Sequence, residues 1–330
     1  MRALVTGGGG FLGKAIVERL LERGDEVRSL QRGDYPELDA LGVDTRRGDL
    51  ADAAVVDAAV EGCDAVFHVA AKAGVWGPYE EYHRANVVGT ENVLAACLRH
   101  GVQKMIYTST PSVVHSGSDV EGVDESAPYA EHFETAYPAT KAVAEKQVLA
   151  ANGKDLLTVA LRPHLIWGPG DNHLVPRIVD RARSGRLRLV GGGTKLVDSI
   201  YIANAADAHL LAADRLAPDA ACAGRAYFLS QGEPVPMVDL INGILAAAGE
   251  PPCKKTISPG MAYAAGALLE GAFRLFRARA EPPMTRFVAR QLATAHWYNL
   301  SAARRDLGYE PRVSIAEGLE ELRLFFAQQK

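Results

Sequence analysis

A tyrosine and a lysine four positions apart, Tyr137 and Lys141, form the pattern in this chain with the clearest chemical meaning. On a helix, that spacing places both side chains on one face. A lysine ammonium near a phenol favours the phenolate, so we expect the pKa of the phenol to move towards neutrality. Tyr137 could then give a proton to a carbonyl oxygen while hydride arrives at the carbon. Pro138 is compatible only with the first turn of a helix, which places Tyr137 at the helix start.

A cluster of hydroxyl groups precedes this pair and could polarise the same carbonyl. It lies at residues 108–112, after a predicted strand, and contains four serine or threonine side chains. Such donors stabilise the negative charge that develops on a carbonyl oxygen. Thr110 is the favoured donor and Ser109 is the alternative, although these hydroxyls could instead only cap turns.

The glycines near the amino terminus provide a place for a phosphate group. Gly7, Gly10 and Gly13 directly follow a predicted strand and lie at the start of a predicted helix. Glycine permits a tight turn and lets a pyrophosphate approach the backbone, while the helix N-terminus presents amide donors to the anion. Phe11 and Leu12 are expected to lock this turn against the sheet more than to touch the cofactor with their side chains. A dinucleotide beside the tyrosine–lysine pair indicates a hydride-transfer enzyme.

The residues after the second predicted strand indicate which dinucleotide binds. An acidic residue about 20 positions into the unit would bind the ribose hydroxyls of NAD. This chain has Gln31 and Arg32 in that neighbourhood, and Asp34 comes slightly later. Arg32 could pair with a 2′-phosphate, which favours NADP(H), or could be a solvated loop arginine. Further cofactor contacts are expected from Asp49, Leu50, Ala70, Ala71, Lys72, Thr108, Tyr137 and Lys141, with Lys141 holding the nicotinamide ribose.

Short apolar runs alternate with helical patterns in the first half of the chain and position these motifs. The runs predict strands at residues 3–6, 26–30, 45–48, 65–69, 105–108 and 157–161. Strands separated by helices pair in parallel and indicate an α/β fold with a Rossmann-like, doubly wound sheet. Residues 1–170 are assigned to this dinucleotide-binding domain, and residues 198–230 are expected to return to it. Residues 171–197 and 231–330 are expected to form a smaller, partly discontinuous C-terminal lobe that binds substrate.

Composition and charge narrow the class of protein. The net charge of the 330-residue chain is −4, which gives no reason to expect a nucleic-acid partner. Cys63, Cys97, Cys222 and Cys253 are scattered, which is typical of free thiols in a reducing compartment and not of a disulfide frame or a metal site. The least charged stretch, residues 256–269, is too short to span a bilayer. We therefore expect a soluble cytoplasmic protein with no metal and no transmembrane segment.

These motifs, in this order, resemble the extended short-chain dehydrogenase/reductases, and within them the 3β-hydroxysteroid dehydrogenase-like branch. The matching stretches are TGGGGFLG from Thr6, NVVGTENV from Asn86, YTSTPSVV from Tyr107, YPATK from Tyr137, LRPHLIWGPGD from Leu161, TRFVARQL from Thr285 and ARRDLGYEP from Ala303. They cover nearly the whole chain. The resemblance implies NAD(P)-dependent oxidation or reduction of a hydroxyl/ketone pair on a lipid-like substrate.

A narrower resemblance concerns the substrate. Stretches around Lys72, His164 and Pro283 are similar to bacterial 2-alkyl-3-oxoalkanoate reductases of long-chain olefin biosynthesis. This implies NADPH reduction of a 2-alkyl-3-ketoacid to the 2-alkyl-3-hydroxyacid. One alternative is a 3β-hydroxysteroid or sterol-carboxylate dehydrogenase that works mainly in the oxidative direction. A second is a non-catalytic, NADP-sensing regulator, although such proteins typically lose the tyrosine or the lysine.

The resemblance also implies roles for individual residues. Tyr137 would be the proton donor, Lys141 its tuner and Thr110 the hydroxyl partner. Asn86 would support the site from a neighbouring helix. Backbone contacts to the nicotinamide amide would come from Pro163, His164 and Ile166. The family further implies a homodimer through the helices near residues 87–98 and 137–149, and association with neighbouring pathway enzymes is a related expectation.

A ketoacid substrate adds a requirement of its own. A carboxylate in a partly dry pocket needs a cation. Lys72, Arg177 and Lys195 are candidates and His173 could hydrogen-bond instead, although each could be an ordinary surface or structural residue.

Apolar residues recur at helical spacing between Met261 and Phe276, with several arginines close behind. The pattern predicts a helix with one apolar face. That face could pack on the core beside a solvated basic flank. Alternatively, the helix could be a lid, or could lie on a membrane surface, and receive a hydrophobic substrate.

Overall fold

The computed structural model describes residues 1–115, 117–276, 278 and 280–329. Its strands are β1 (Arg2–Thr6), β2 (Glu26–Gln31), β3 (Asp44–Arg47), β4 (Ala65–His68), β5 (Lys104–Thr108), β6 (Val120–Val123), β7 (Leu157–Pro163), β8 (Ile166–Trp167), β9 (Leu189–Val190), β10 (Leu196–Val197), β11 (Ile200–Tyr201), β12 (Arg225–Leu229), β13 (Val235–Pro236), β14 (Thr256–Ile257) and β15 (His296–Tyr298). Its α-helices are α1 (Phe11–Glu22), α2 (Pro36–Ala40), α3 (Ala53–Val60), α4 (Tyr79–Tyr82), α5 (Gly89–His100), α6 (Ala136–Ala150), α7 (Leu174–Arg183), α8 (Ile202–Arg215), α9 (Met237–Ala247), α10 (Pro259–Leu275), α11 (Arg286–Ala293) and α12 (Ile315–Gln328).

Seven of these strands form one parallel sheet in the order β12-β7-β5-β4-β1-β2-β3. Most of these strands are short apolar runs because helices cover both faces of the sheet, whereas the edge strand β3 is polar and largely exposed. In β1, Ala3 and Val5 pack with residues of α1 and α8, whereas Leu4 between them packs with residues of α3, α5 and α6. This alternation follows from the two-residue period of a strand. The predicted Rossmann-like, doubly wound sheet is confirmed.

The strand order reverses between β1 and β4, which are neighbours although two strands separate them along the chain. In sheets of this kind, ligands bind in the crevice at the carboxyl ends of the strands beside such a reversal. The glycine-rich turn follows β1, and Ala70 lies just beyond β4. The topology therefore places the site at this edge of the sheet.

The return of residues 198–230 to the main sheet is only partly as predicted. Residues 225–229 do return, as β12 beside β7. By contrast, β11 pairs with β8 and stays outside the seven-stranded sheet. The backbone of Leu165 has a φ of 43°, so the chain turns away from β7 before β8 begins. Because β12 already occupies the edge of β7, β11 pairs with the strand that follows this turn.

The second lobe contains a four-stranded sheet in the order β13-β10-β15-β6. β6 comes from residues 120–123, inside the segment that was assigned entirely to the dinucleotide-binding domain. It pairs with β15 from near the carboxyl end of the chain. The sequence does not indicate that β6 belongs to the sheet of the second lobe, because the pairing joins residues that lie far apart along the chain.

The helix predicted around Met261 is α10, but the interpretation of its apolar face as core-facing is wrong. Met261, Leu268, Leu275 and Phe276 are 65% to 79% exposed. The buried side of α10 consists instead of Ala262, Gly266 and Glu270. Two of the arginines expected beside this helix, at positions 277 and 279, lie outside the part of the chain that the structure describes. Among the described residues, no helix is both long and apolar enough to cross a bilayer.

Candidate functional site

The turn between β1 and α1 has a shape that requires glycine. Gly7 has a φ of 73°, and its N–H donates to the Leu30 carbonyl at 2.7 Å. A Cβ on Gly13 would lie 2.1 Å from the Gly7 carbonyl oxygen, and a Cβ on Gly7 would lie 3.0 Å from the Ala70 Cα. Gly10 is the N-cap of α1, so the first-turn amides face outward without a capping side chain. This arrangement fits a pyrophosphate held by backbone amides and the helix N-terminus.

Buried hydrogen bonds join β1 and β4 beneath this turn. The Thr6 hydroxyl accepts from the Ala70 N–H at 3.1 Å and lies 2.8 Å from His68 Nδ1. The Thr90 hydroxyl donates to a backbone carbonyl at 2.6 Å and lies 2.9 Å from His68 Nε2. His68 Nε2 therefore carries the ring proton and donates to the Thr90 hydroxyl, and the Thr6 hydroxyl donates to Nδ1. Burial, with a smaller effect of Lys141, lowers the pKa of His68 to about 3, so this link is neutral.

A cavity of about 600 Å³ opens at the carboxyl ends of the parallel strands. Every residue predicted for catalysis or cofactor binding lines it: Gly7, Gly10, Phe11, Leu12, Gly13, Arg32, Asp49, Leu50, Ala70, Ala71, Lys72, Thr108, Ser109, Thr110, Tyr137, Lys141, Pro163, His164 and Ile166. The motifs meet here because parallel strands end at one edge of the sheet. The glycine cradle and the tyrosine–lysine pair in one cavity fit an NAD(P) dinucleotide.

Several lining residues were not predicted. They include Gly33, Tyr35, Ala73, Ala85, Leu165, Asp171, Asn172, Leu174 and Gln291. A Cβ on Gly9 would lie 2.3 Å from the Tyr35 ring, so this ring packs directly on the glycine turn. The position of Tyr35, three residues after Arg32, could have indicated that it lines the cofactor site. The sequence around Gln291 gave no such indication, because α11 of the second lobe brings this residue to the cavity.

The tyrosine–lysine pair lies at the start of α6, as Pro138 predicted. Tyr137 is the second residue of that helix and Lys141 lies one turn later. The Lys141 ammonium donates to the Thr108 carbonyl at 2.6 Å and lies 4.1 Å from the centre of the Tyr107 ring. Burial lowers the pKa of Lys141 to about 7, an effect that the Glu145 carboxylate partly offsets.

The pKa of Tyr137 differs from the sequence-based expectation. Burial raises it to about 12, and the neighbouring Thr110 hydroxyl offsets only part of this increase. The expected shift towards neutrality is absent because the Lys141 ammonium is hydrogen-bonded to the Thr108 carbonyl and the desolvation of the phenol dominates. At neutral pH the phenol therefore carries its proton, as a proton donor requires.

The geometry separates the two hydroxyl candidates. Thr110 neighbours the Tyr137 phenol, and its side chain also accepts from the Ser112 N–H at 3.2 Å as the cap of the 3₁₀ turn Pro111–Val113. The buried Ser109 hydroxyl instead lies near Glu145, on the inner side of α6. Burial acts to raise the pKa of that carboxyl, and Arg162, with a smaller effect of Ser109, holds it low. This placement favours Thr110 as the partner of the phenol.

Asn86 ties the loop after β4 to the catalytic helix. It lies in the π-helical turn His83–Val88, between α4 and α5. Its side chain accepts from the Lys72 N–H at 2.7 Å and donates to the Lys72 carbonyl at 3.1 Å. The same amide group donates to the Thr140 hydroxyl at 3.1 Å, and Thr140 in turn bonds the Tyr137 carbonyl at 3.0 Å. The Lys72 backbone is therefore tied to the start of α6, which carries Tyr137.

A buried ion pair holds α6 against β7. The Arg162 guanidinium donates to both carboxylate oxygens of Glu145, at 3.0 and 2.5 Å, and the Tyr129 hydroxyl donates to the same carboxylate at 2.6 Å. Because Glu145 is one turn after Lys141, this ion pair fixes the orientation of α6. The YPATK motif alone did not indicate it.

The four candidates for a substrate carboxylate separate clearly. Lys72 and His173 line the cavity, and the Lys72 ammonium already pairs with the Glu81 carboxylate at 2.6 Å. Arg177 pairs with Glu281 and Lys195 pairs with Asp119, and neither lines the cavity. Arg177 and Lys195 thus lie outside the cavity lining and are already paired with carboxylates.

Comparisons with known proteins point to one family. The model of the 3-beta hydroxysteroid dehydrogenase/isomerase family matches residues 4–257. The chain is 58% identical over 325 residues to 2-alkyl-3-oxoalkanoate reductase of Stenotrophomonas maltophilia, covering 98% of each chain. It is 52% identical over 329 residues to the protein of that name from Shewanella oneidensis, covering 97% of this chain and 85% of the relative. The crystal structure of gox2253 is similar with a TM-score of 0.78 and 29% identity, over 99% of this chain and 98% of that one. The chain belongs to the 3-beta hydroxysteroid dehydrogenase/isomerase family, a branch of the extended short-chain dehydrogenase/reductases, and is an NAD(P)-dependent oxidoreductase.

Proposed function

We propose that this enzyme uses NADPH to reduce a 2-alkyl-3-oxoalkanoate to the 2-alkyl-3-hydroxyalkanoate, in long-chain olefin biosynthesis. The observation that carries the proposal is the partly buried Tyr137 phenol, which shares one cavity with a glycine cradle and the Lys72 side chain. The two relatives that share more than half of their aligned residues with this chain bear the name of that activity.

Each residue of the site has a separate role in the proposed reaction. When bound, the cofactor supplies hydride to the carbonyl carbon. Tyr137 gives its proton to the carbonyl oxygen, and Thr110 donates a hydrogen bond to that oxygen as charge develops. Lys141 would hold the nicotinamide ribose. The glycine turn would hold the pyrophosphate, and the backbone of Pro163, His164 and Ile166 would hold the nicotinamide amide.

Steady-state rates with two substrate classes test this proposal. We expect NADPH-dependent turnover of a synthetic long-chain 2-alkyl-3-ketoacid and negligible oxidation of 3β-hydroxysteroids or sterol carboxylates. If the enzyme turned over only the steroid substrates, the proposed ketoacid reductase activity would be wrong and the steroid dehydrogenase alternative would hold. The control is the reverse reaction with the 2-alkyl-3-hydroxyacid and NADP⁺, which the same active site must catalyse.

Preference for NADPH follows from the cations beside the second strand. Arg32 is exposed on the cavity wall after β2, and Arg47 on the adjacent β3 donates to its carbonyl at 3.1 Å. Charge-assisted bonds to a phosphate contribute about 1.5–3 kcal/mol. We therefore expect Arg32→Ala to raise the KM for NADPH about tenfold or more, with little change for NADH.

The matched control for this prediction is Arg46→Ala. Arg46 is an exposed arginine of the same strand pair, and it binds Asp44 at 2.9 Å. Its loss should leave both KM values unchanged. Equal increases for NADPH and NADH in Arg32→Ala would remove Arg32 from the phosphate site.

We also propose that Lys72 binds the substrate carboxylate. Its backbone is fixed at the catalytic end by Asn86, and its ammonium already holds a carboxylate, that of Glu81, which the substrate would displace. Lys72→Gln should raise the KM for the ketoacid about tenfold while the kcat changes little. The methyl ester of the same ketoacid should be unaffected.

Lys195→Gln is the control for Lys72, because Lys195 has one carboxylate partner of the same kind outside the cavity. If Lys72→Gln changed the KM for the ketoacid and for its methyl ester equally, Lys72 would support the loop and would not bind the substrate carboxylate.

We further propose a cytoplasmic homodimer formed through α5 and α6, which can associate with neighbouring pathway enzymes. Leu98 on α5 and Val143 on α6 are exposed, and these two helices pack side by side. The four cysteines are free thiols, which is typical of a reducing compartment.

A further inference from the structure

Two histidines from different lobes are hydrogen-bonded to each other at the wall of the cavity. His164 follows β7 and lines the cavity, whereas His296 is the first residue of β15 in the second lobe. His164 Nε2 lies 2.7 Å from His296 Nδ1, and the two rings meet edge-on, with their centres 4.8 Å apart. Both side chains are buried. The cofactor contacts proposed above use only the backbone of His164, so its side chain has no role among them.

A helix carbonyl fixes the direction of this hydrogen bond. The carbonyl of Gln291 belongs to the last turn of α11, where backbone oxygens lack partners within the helix. It lies 2.9 Å from His296 Nε2. Because a carbonyl oxygen can only accept, His296 Nε2 carries the ring proton, and Nδ1 of the neutral ring keeps its lone pair. His164 Nε2 must therefore donate to His296 Nδ1, which leaves the lone pair of neutral His164 on its Nδ1.

The surroundings of the two rings keep them neutral and leave one nitrogen free. Burial is the main cause that lowers the pKa of His164 well below its ordinary value, and burial also lowers the pKa of His296. His115 packs edge-on against His296 with ring centres 6.2 Å apart, but neither of its nitrogens has a hydrogen-bond partner among the described residues. It therefore does not compete for the nitrogens of His296. Within the described part of the chain, no group bonds His164 Nδ1.

The lone pair of His164 Nδ1 suits a ligand group that donates a hydrogen bond. His164 shares the cavity with Tyr137 and Thr110, which would meet the oxygen of a ketone substrate, and that oxygen can only accept. The nicotinamide ring must lie beside the same carbonyl for hydride transfer, and its carboxamide carries two N–H donors. We propose that His296 is a positioning residue that holds His164 as the Nε2–H tautomer, so that His164 Nδ1 accepts a hydrogen bond from the nicotinamide carboxamide.

Calorimetric titration of the full chain with two forms of the cofactor tests this proposal without any turnover. The probes are NADP⁺ or NAD⁺, whichever binds more tightly, and its 3-acetylpyridine analogue, in which a methyl ketone replaces the carboxamide and removes both N–H donors. We expect the wild type to bind the natural form about tenfold more tightly than the analogue. His164→Phe should reduce this preference to about twofold or less, and His296→Phe should reduce it about threefold or more.

His115→Phe is the matched control, because it changes the packing beside His296 without removing a hydrogen bond between described residues. It should keep the full preference for the natural cofactor. If His296→Phe weakened both forms of the cofactor equally, the histidine pair would only support the fold, and the proposal would be wrong.

Nuclear magnetic resonance of the enzyme with ¹⁵N-labelled histidine tests the tautomer itself. The His164 ring should carry its proton on Nε2 in the wild type and should populate both tautomers in His296→Phe. The wild-type spectrum decides the tautomer even where a variant fails to fold.

Three results would overturn the proposal. They are a wild-type His164 ring protonated on Nδ1, equal affinity of the wild type for the two cofactor forms, and a full preference that survives in His164→Phe, because the backbone alone would then hold the carboxamide. None of these measurements uses a ketoacid, so their outcome is independent of the proposed substrate.

Discussion

Replacement of Tyr137 by phenylalanine is expected to lower the kcat for ketoacid reduction about 10³-fold. The phenylalanine ring keeps the packing at the start of α6 but has no proton to give to the carbonyl oxygen. The pKa of about 12 means that the wild-type phenol is protonated at neutral pH, so the variant loses the proton donor itself. Because the glycine turn and Arg32 are unchanged, the affinity for NADPH should change little.

Single-turnover kinetics, together with a fluorescence titration of NADPH, check this result. Tyr79→Phe is the matched control, since Tyr79 is exposed on α4 and should keep full activity. A kcat that Tyr137→Phe leaves intact would contradict a catalytic role and would favour a non-catalytic, NADP-sensing regulator. A parallel loss of NADPH binding would instead show that the phenol supports the cofactor site.

Gly13→Ala is expected to weaken NADPH binding about 100-fold or more, since the close packing of helix and turn positions the amides that face the pyrophosphate. The new Cβ would lie 2.1 Å from the Gly7 carbonyl oxygen and 2.7 Å from its carbon. Both are backbone atoms, and Gly7 has little room to retreat because Ala70 lies directly behind it. The turn must therefore shift away from the start of α1.

Gly153→Ala provides the control for this change, because a Cβ at Gly153 meets open space and its φ is not positive. NADPH affinity should be unchanged in that variant, and thermal unfolding should show that both variants are folded. Wild-type affinity in Gly13→Ala would mean that the pyrophosphate does not lie on this turn.

Features with a local cause were predictable from the residues. The order of strand, glycine turn and helix predicted the phosphate cradle, and the spacing of Tyr137 and Lys141 predicted one helix face. Pro138 predicted the position of Tyr137 within the first turn. Most of the six early strands were found because a buried parallel strand is a short apolar run, whereas β3 is polar and largely exposed. Since parallel strands end at one edge, the meeting of these motifs in one cavity also followed from the strand order.

Features caused by contacts distant in sequence were not predictable. The pairing of β11 with β8 depends on the turn at Leu165, and the origin of β6 in the first half of the chain depends on β15. The hydrogen bonds of His68 and the ion pair of Glu145 join elements that only the folded sheet brings together.

The tyrosine–lysine pair shows which properties the sequence determines and which depend on the tertiary structure. The residue types and their spacing by themselves determined that a phenol and an ammonium share a helix beside a dinucleotide site. Only the tertiary structure decided their charge states, because the pKa of each depends on burial and on the group that faces it, which is the Thr108 carbonyl for Lys141. The same holds for α10, whose spacing predicted an apolar face while its packing on α11 decided that this face points outward. Periodicity is a property of one element, whereas burial is a property of how elements pack.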